Sequence, residues 1–136
     1  MKQNVVLTIT SLLSILLMTL HLTDDIVRGF ERAVSSYFAV PALVVWLYGT
    51  LVLAERRSGY VIILLGSLLG TLAPIIHFRG TGAVARGEIA QSSGAFFFVW
   101  ILIALGVTAL FSVVLSVREL WRLGRGQVRG QAGSGG

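Results

Sequence analysis

The chain reads as an all-α polytopic membrane protein, a bundle of four transmembrane helices with both termini in the cytoplasm. Three observations lead there. Of its 136 residues 55% are hydrophobic and only 12% charged, and mean hydropathy is +0.86, whereas about a quarter of a soluble domain is usually charged. Four apolar runs, at about 5–22, 38–54, 60–78 and 94–117, lie between the charges, and each approaches the ~20 residues needed to cross a bilayer. Hydrocarbon offers backbone N–H and C=O groups no partner, so such runs are helices; the shorter alternating strands of a β-barrel are absent from the pattern. Residues 1–122 thus form the bundle, and 123–136, basic and glycine-rich without hydrophobic periodicity, form a disordered tail.

The first run follows Lys2 and, with Ala33-Val34-Ser35 as a loose cleavage pattern, has some features of a secretory signal. It is longer than the ~7–15 residues of a signal core, and the candidate cleavage site lies past a charged segment, so it is read as a span. Steps of three and four place Leu7, Ser11, Ser14, Met18, His21 and Asp25 on one face. Small and hydroxylated residues gather where helices touch in lipid, so this stripe, Ser14 included, points into the bundle. The segment 23–37 then faces outward, either as a short surface helix carrying Ile26, Val27, Phe30 and Val34 or as an extension of the first helix with Gly29 as its weak point.

The second helix begins near Pro41 and carries Trp46 and Tyr48. A short link through Glu55-Arg56-Arg57 makes it an antiparallel neighbour of the third. That third helix contains Gly66-Ser67-Leu68-Leu69-Gly70, a GxxxG pattern for close packing, with Ala73 and His77 on the same face and a possible bend at Pro74. The second outer segment, 79–93, reads as a flexible connector; Gly80-Thr81-Gly82 with Arg79 and Arg86 is too weak a pattern for an anion cradle. The fourth helix opens with Phe96, Phe97, Phe98 and Trp100 at headgroup level, and Trp121 marks its other end.

Lys2, Arg56, Arg57, Arg118, Arg122, Arg125 and Arg129 fall on one side, against Arg28, Arg32, Arg79 and Arg86 on the other, which accounts for all 11 basic residues. The positive-inside rule therefore puts both termini in the cytoplasm of a multi-pass protein of the cell membrane, with the basic tail near anionic lipid.

With no cysteine, thiol chemistry and cysteine metal ligands are excluded. There is no nucleophile elbow, Walker loop, dinucleotide fingerprint or nucleic-acid module, and no charge at mid-span, where one would cost about 2.5–3.5 kcal/mol and mark a transport route. The primary reading is a small integral membrane protein without a self-sufficient catalytic apparatus. It would serve as a subunit or modulator of a membrane complex, with a membrane-protein partner or a second copy of itself, and bind no nucleic acid.

The alternative lies in the two histidines of the chain. Under this topology His21 and His77 fall at similar depth near the outer face, each on a packing face, with Asp25 four residues and Asp24 three residues beyond His21. Two imidazoles and a carboxylate from His21, His77 and Asp25 or Asp24 suit a divalent metal; the two histidines alone suit a haem iron. Ring nitrogens within roughly 4–5 Å would favour a shared ion. A further reading is a lipid or quinone held between helices near Trp46, Tyr48 and Pro74.

Overall fold

The computed structural model describes residues 2–29, 33–79, 84, 87, 89 and 93–133, and every regular element among them is helical. In order these are α1 (Lys2–Arg28), α2 (Ala33–Leu51), α3 (Arg57–Phe78) and α4 (Ala95–Gly133). Three helices, over Val5–Arg28, Arg57–Phe78 and Ala95–Arg125, are long and apolar enough to cross a membrane, and α2 contributes a shorter apolar stretch, Tyr37–Leu51. The outward surface is apolar, with Ile9, Leu16, Val44, Leu65 and Phe111 all exposed, as a lipid-facing surface requires.

Three helix boundaries lie beyond the apolar runs. α1 continues through Asp24 and Asp25 to Arg28 and ends at Gly29, whose φ of 73° is the left-handed conformation glycine supplies after a helix. Residues 23–28 therefore extend α1 and 33–37 open α2; residues 30–32 lie outside the described residues. α2 begins at Ala33, so Pro41 sits inside it rather than at its start. An interior proline removes one backbone donor and crowds the carbonyl one turn back, and membrane helices tolerate it because neighbouring groups re-satisfy the freed carbonyl. α4 runs to Gly133, beyond the apolar run of the fourth span, and no proline interrupts 123–133.

α4 packs against α3 and α1, while α2 lies against α3 and α1. The α1 stripe turns inward as its spacing demands: Leu7, Ser11, Ser14, His21 and Asp25 are all buried. α4 presents a stripe of the same period, Phe98, Leu102, Leu105, Ala109, Ser112 and Ser116. Buried hydroxyls in this setting gain from partners, and most of those described have one, Ser67 and Ser116 being the exceptions among the described residues. Several bond the carbonyl one turn back, as Ser14 Oγ does to Thr10 O at 2.8 Å. Others cross between helices: Trp46 Nε1 donates to Ser11 Oγ at 3.0 Å, Ser11 Oγ meets Thr50 Oγ1 at 2.8 Å, and Ser112 Oγ donates to Thr10 Oγ1 at 3.1 Å.

The GxxxG of α3 serves two partners. The Trp46 indole of α2 lies on Gly66, where any Cβ would overlap the ring, and Ala109 and Leu105 of α4 close on Gly70. α2 and α3 are antiparallel neighbours, joined by a tight turn through Glu55 at φ 68°.

Gly66→Ala should therefore destabilise the bundle by about 1–3 kcal/mol, the cost of overpacking a filled core. Gly70→Ala, whose Cβ would sit 3.1 Å from the Ala109 methyl, should cost less. Thermal unfolding of the detergent-purified variants tests the order, and a more damaging Gly70→Ala would refute the assignment of the indole to Gly66.

Candidate metal centre

At the end of the bundle where α1 and α3 finish and α4 begins, the two histidines converge. Their ring centroids are 4.8 Å apart at an interplanar angle of 81°. Asp25, brought onto the His21 face by the uninterrupted helix, lies between them: its Oδ2 is 3.4 Å from His21 Nε2 and 3.4 Å from His77 Nε2. One ligand atom from each of the three side chains falls within 4.8 Å of the other two. His21 and Asp25 are each only 2% exposed, so the carboxylate is not the solvated helix-end charge that its position next to the outer segment suggests.

The tautomer of His77 follows from one bond. Its Nδ1 is 2.9 Å from Ala73 O, and a carbonyl only accepts, so Nδ1 carries the hydrogen and in the neutral ring Nε2 presents its lone pair toward Asp25. A metal-ligating histidine is commonly oriented by such a bond from its other nitrogen. A lone pair and a carboxylate oxygen 3.4 Å apart repel unless a cation or a proton lies between them.

Asp24 does not join the cluster. Its Oδ2 accepts from Arg28 Nε at 2.8 Å, and the same guanidinium donates from Nη2 to Ser93 O at 3.1 Å, tying the segment that precedes α4 to the end of α1. This pair leaves Asp25 as the carboxylate that faces the imidazoles.

Phe98 has a role that the sequence reading did not assign. Phe96, Phe97 and Trp100 are exposed, but Phe98 is 1% exposed and its ring lies 5.6 Å from both imidazoles. Four aromatics within five residues of a helix cannot all face outward, and the inward spacing 98, 102, 105, 109 carries the signal. Ile89, from the segment expected to be a flexible connector, is also buried against this core; Gly80, Thr81, Gly82 and Arg86 lie outside the described residues. Of the aromatics near the centre, Trp46 is buried, whereas Tyr48 is half exposed and takes no part.

Comparison with known protein families, curated proteins and solved structures gave no match. The fold and cluster thus define a class by themselves: a helical membrane-type protein with a His/Asp/His cluster at one end, in which His21 and Asp25 are buried and His77 partly so.

Phe98→Leu should move the ring-proton NMR signals of both histidines, while Phe97→Leu should leave both in place. Since the chain has two histidines, each signal is assigned by losing one at a time; a Phe98→Leu spectrum matching wild type would place the ring elsewhere.

Proposed function

We propose that this protein binds a divalent first-row metal ion, zinc or ferrous iron in class, through His21 Nε2, His77 Nε2 and Asp25 Oδ2. The observation that carries the reading is the pair of 3.4 Å separations from Oδ2 to the two imidazole nitrogens. Ligand atoms bound at about 2.0–2.1 Å around a tetrahedral ion lie roughly 3.3–3.4 Å apart, which these two separations match; the three ligand atoms together span up to 4.8 Å, so the imidazoles would close toward each other on the ion. Two histidines and a carboxylate are the donor set of both zinc sites and open ferrous sites, and three protein ligands leave a position for water or substrate. The Ala73 carbonyl orients one ring, and Phe98 with the apolar walls keeps the dielectric low, which strengthens a charged site.

Haem is less well supported. A macrocycle would have to pass between two rings whose centroids are 4.8 Å apart, with a carboxylate oxygen close to both. A role as a subunit or modulator of a membrane complex is compatible with a metal site and rests on the shortness of the connecting segments.

Metal analysis and titration with Zn²⁺, or with Co²⁺ read from its visible absorption, test the proposal. One ion per chain is expected. At 100 times its dissociation constant the ion should add about 2.7 kcal/mol to stability. His21→Ala, His77→Ala and Asp25→Ala should each weaken binding by about 100-fold or more, beyond the 10–100-fold typical of an orienting partner. Absence of saturable binding by wild type, or variants that bind as it does, would overturn it.

The excess of basic residues at the opposite end of the bundle supports both termini lying in the cytoplasm and the cluster lying near the outer face of the cell membrane. Arg125 stacks over Trp121 at 4.1 Å there, and this end of α4 would meet anionic lipid. In a chain without cysteine, Ser93→Cys should react with an impermeant maleimide added to intact cells and Ser58→Cys should not; the reverse pattern would invert the topology.

A further inference from the structure

The cluster forms the polar end of a larger feature. Between α1, α2 and α3 lies a cavity of about 430 Å³ whose lining includes Phe38, Leu43, Trp46, Leu69 and Ile76, with His21, Asp25 and His77 at one end. Its volume is that of a small-molecule site, apolar with a few convergent polar groups. Phe38 and Ile76 are 77% and 61% exposed, so the cavity opens sideways, through the surface that faces lipid. A ligand entering there is membrane-soluble.

Asp25 supplies the second observation. While Oδ2 faces the imidazoles, Oδ1 is buried and accepts no hydrogen bond among the described residues. A buried carboxylate oxygen without a donor is costly, and Asp25 is among the residues lining the cavity, so a head group that donates a hydrogen bond, as a ring hydroxyl does, would satisfy it once the side chain turns toward the cavity. A phosphate head group fails on both counts, offering acceptors and negative charge to a carboxylate. Phe38 and Trp46 give the wall flat aromatic faces that suit a ring.

We propose that the cavity binds a quinol, with its ring between α1, α2 and α3, one ring hydroxyl donating to Asp25 Oδ1 and its hydrocarbon tail leaving through the side opening into lipid. This goes beyond the metal reading and does not depend on it, because the two carboxylate oxygens have separate roles.

The test uses the full chain in detergent after chelator treatment, so that its outcome is independent of any metal. Trp100 and Trp121 are both well exposed, at 61% and 63%, and Trp100→Phe with Trp121→Phe leaves Trp46 in the cavity wall as the sole tryptophan, excited selectively at the red edge of its absorption. A decyl-benzoquinol, titrated under nitrogen, should quench it saturably with one site per chain. The dimethyl ether of the same quinol, which has no hydroxyl to donate, should bind at least 10-fold more weakly, and dioctanoylglycerol should not displace the quinol at equal concentration. Ala42→Phe, which fills the cavity from a position exposed on α2, should weaken quinol binding at least 10-fold. Equal binding of the ether overturns the hydroxyl contact with no variant required; unaltered binding by Ala42→Phe overturns the location; displacement by dioctanoylglycerol overturns the quinol class in favour of a glyceride.

Discussion

The structure depends on one requirement of α1: a helix that carries Ser11, Ser14, His21 and Asp25 on a single face cannot show that face to hydrocarbon. In water such a stripe would be an ordinary amphipathic surface. In lipid an unpartnered polar group is costly, and the other helices supply several of the partners. α2 offers the Trp46 indole and the Thr50 hydroxyl to Ser11, α4 brings Ser112 to Thr10, and α3 brings His77 to Asp25. Burial of leucine against leucine gives little drive to association here, since lipid tails are equally apolar. These few polar contacts and the close approach at the glycines specify which faces meet.

That logic explains what could be read before folding and what could not. The α1 stripe was legible because a period of 3.6 residues is a one-dimensional property, and burial of Leu7, Ser11, Ser14, His21 and Asp25 follows from it directly. The shared depth of His21 and His77 was legible because both sit near the same end of parallel spans. Their contact was not, because it depends on how α1 and α3 are rotated about their axes. The choice between Asp24 and Asp25 was hidden for a related reason: both lie one turn from His21, and only the continuation of α1 to Arg28 decides that Asp24 turns to Arg28 while Asp25 turns inward. Phe98 was obscured by its neighbours, since a run of aromatics reads as an interfacial belt even when one member points the other way. The start of α2 and the far end of α4 were not legible because hydropathy marks where lipid contact begins, not where helical hydrogen bonding does.

The cost of burying Asp25 bears on what the site is for. A carboxylate held away from water needs positive charge or several donors nearby, and the neighbours facing Oδ2 are two imidazole nitrogens, one of them fixed by Ala73 as a lone-pair nitrogen in the neutral ring. Had the fold needed only a polar plug, a serine or asparagine would have been easier to bury. The basic residue closest in sequence, Arg28, is engaged by Asp24, so the positive charge at the cluster is what the proposed ion would supply.

Trp46 links this chemistry to the packing of the bundle. The indole is pressed onto Gly66, anchored by its N–H to Ser11, and forms part of the cavity wall that leads to His77 and Asp25. A glycine at 66 lets the ring lie flat against α3; a larger residue would push α2 outward and widen the cavity at its floor. The separation of α2 from α3, and with it the width of the approach to the cluster, is therefore set by a contact made two to three turns below the histidines. Packing and site geometry are one constraint in this molecule, because the same helix faces carry both.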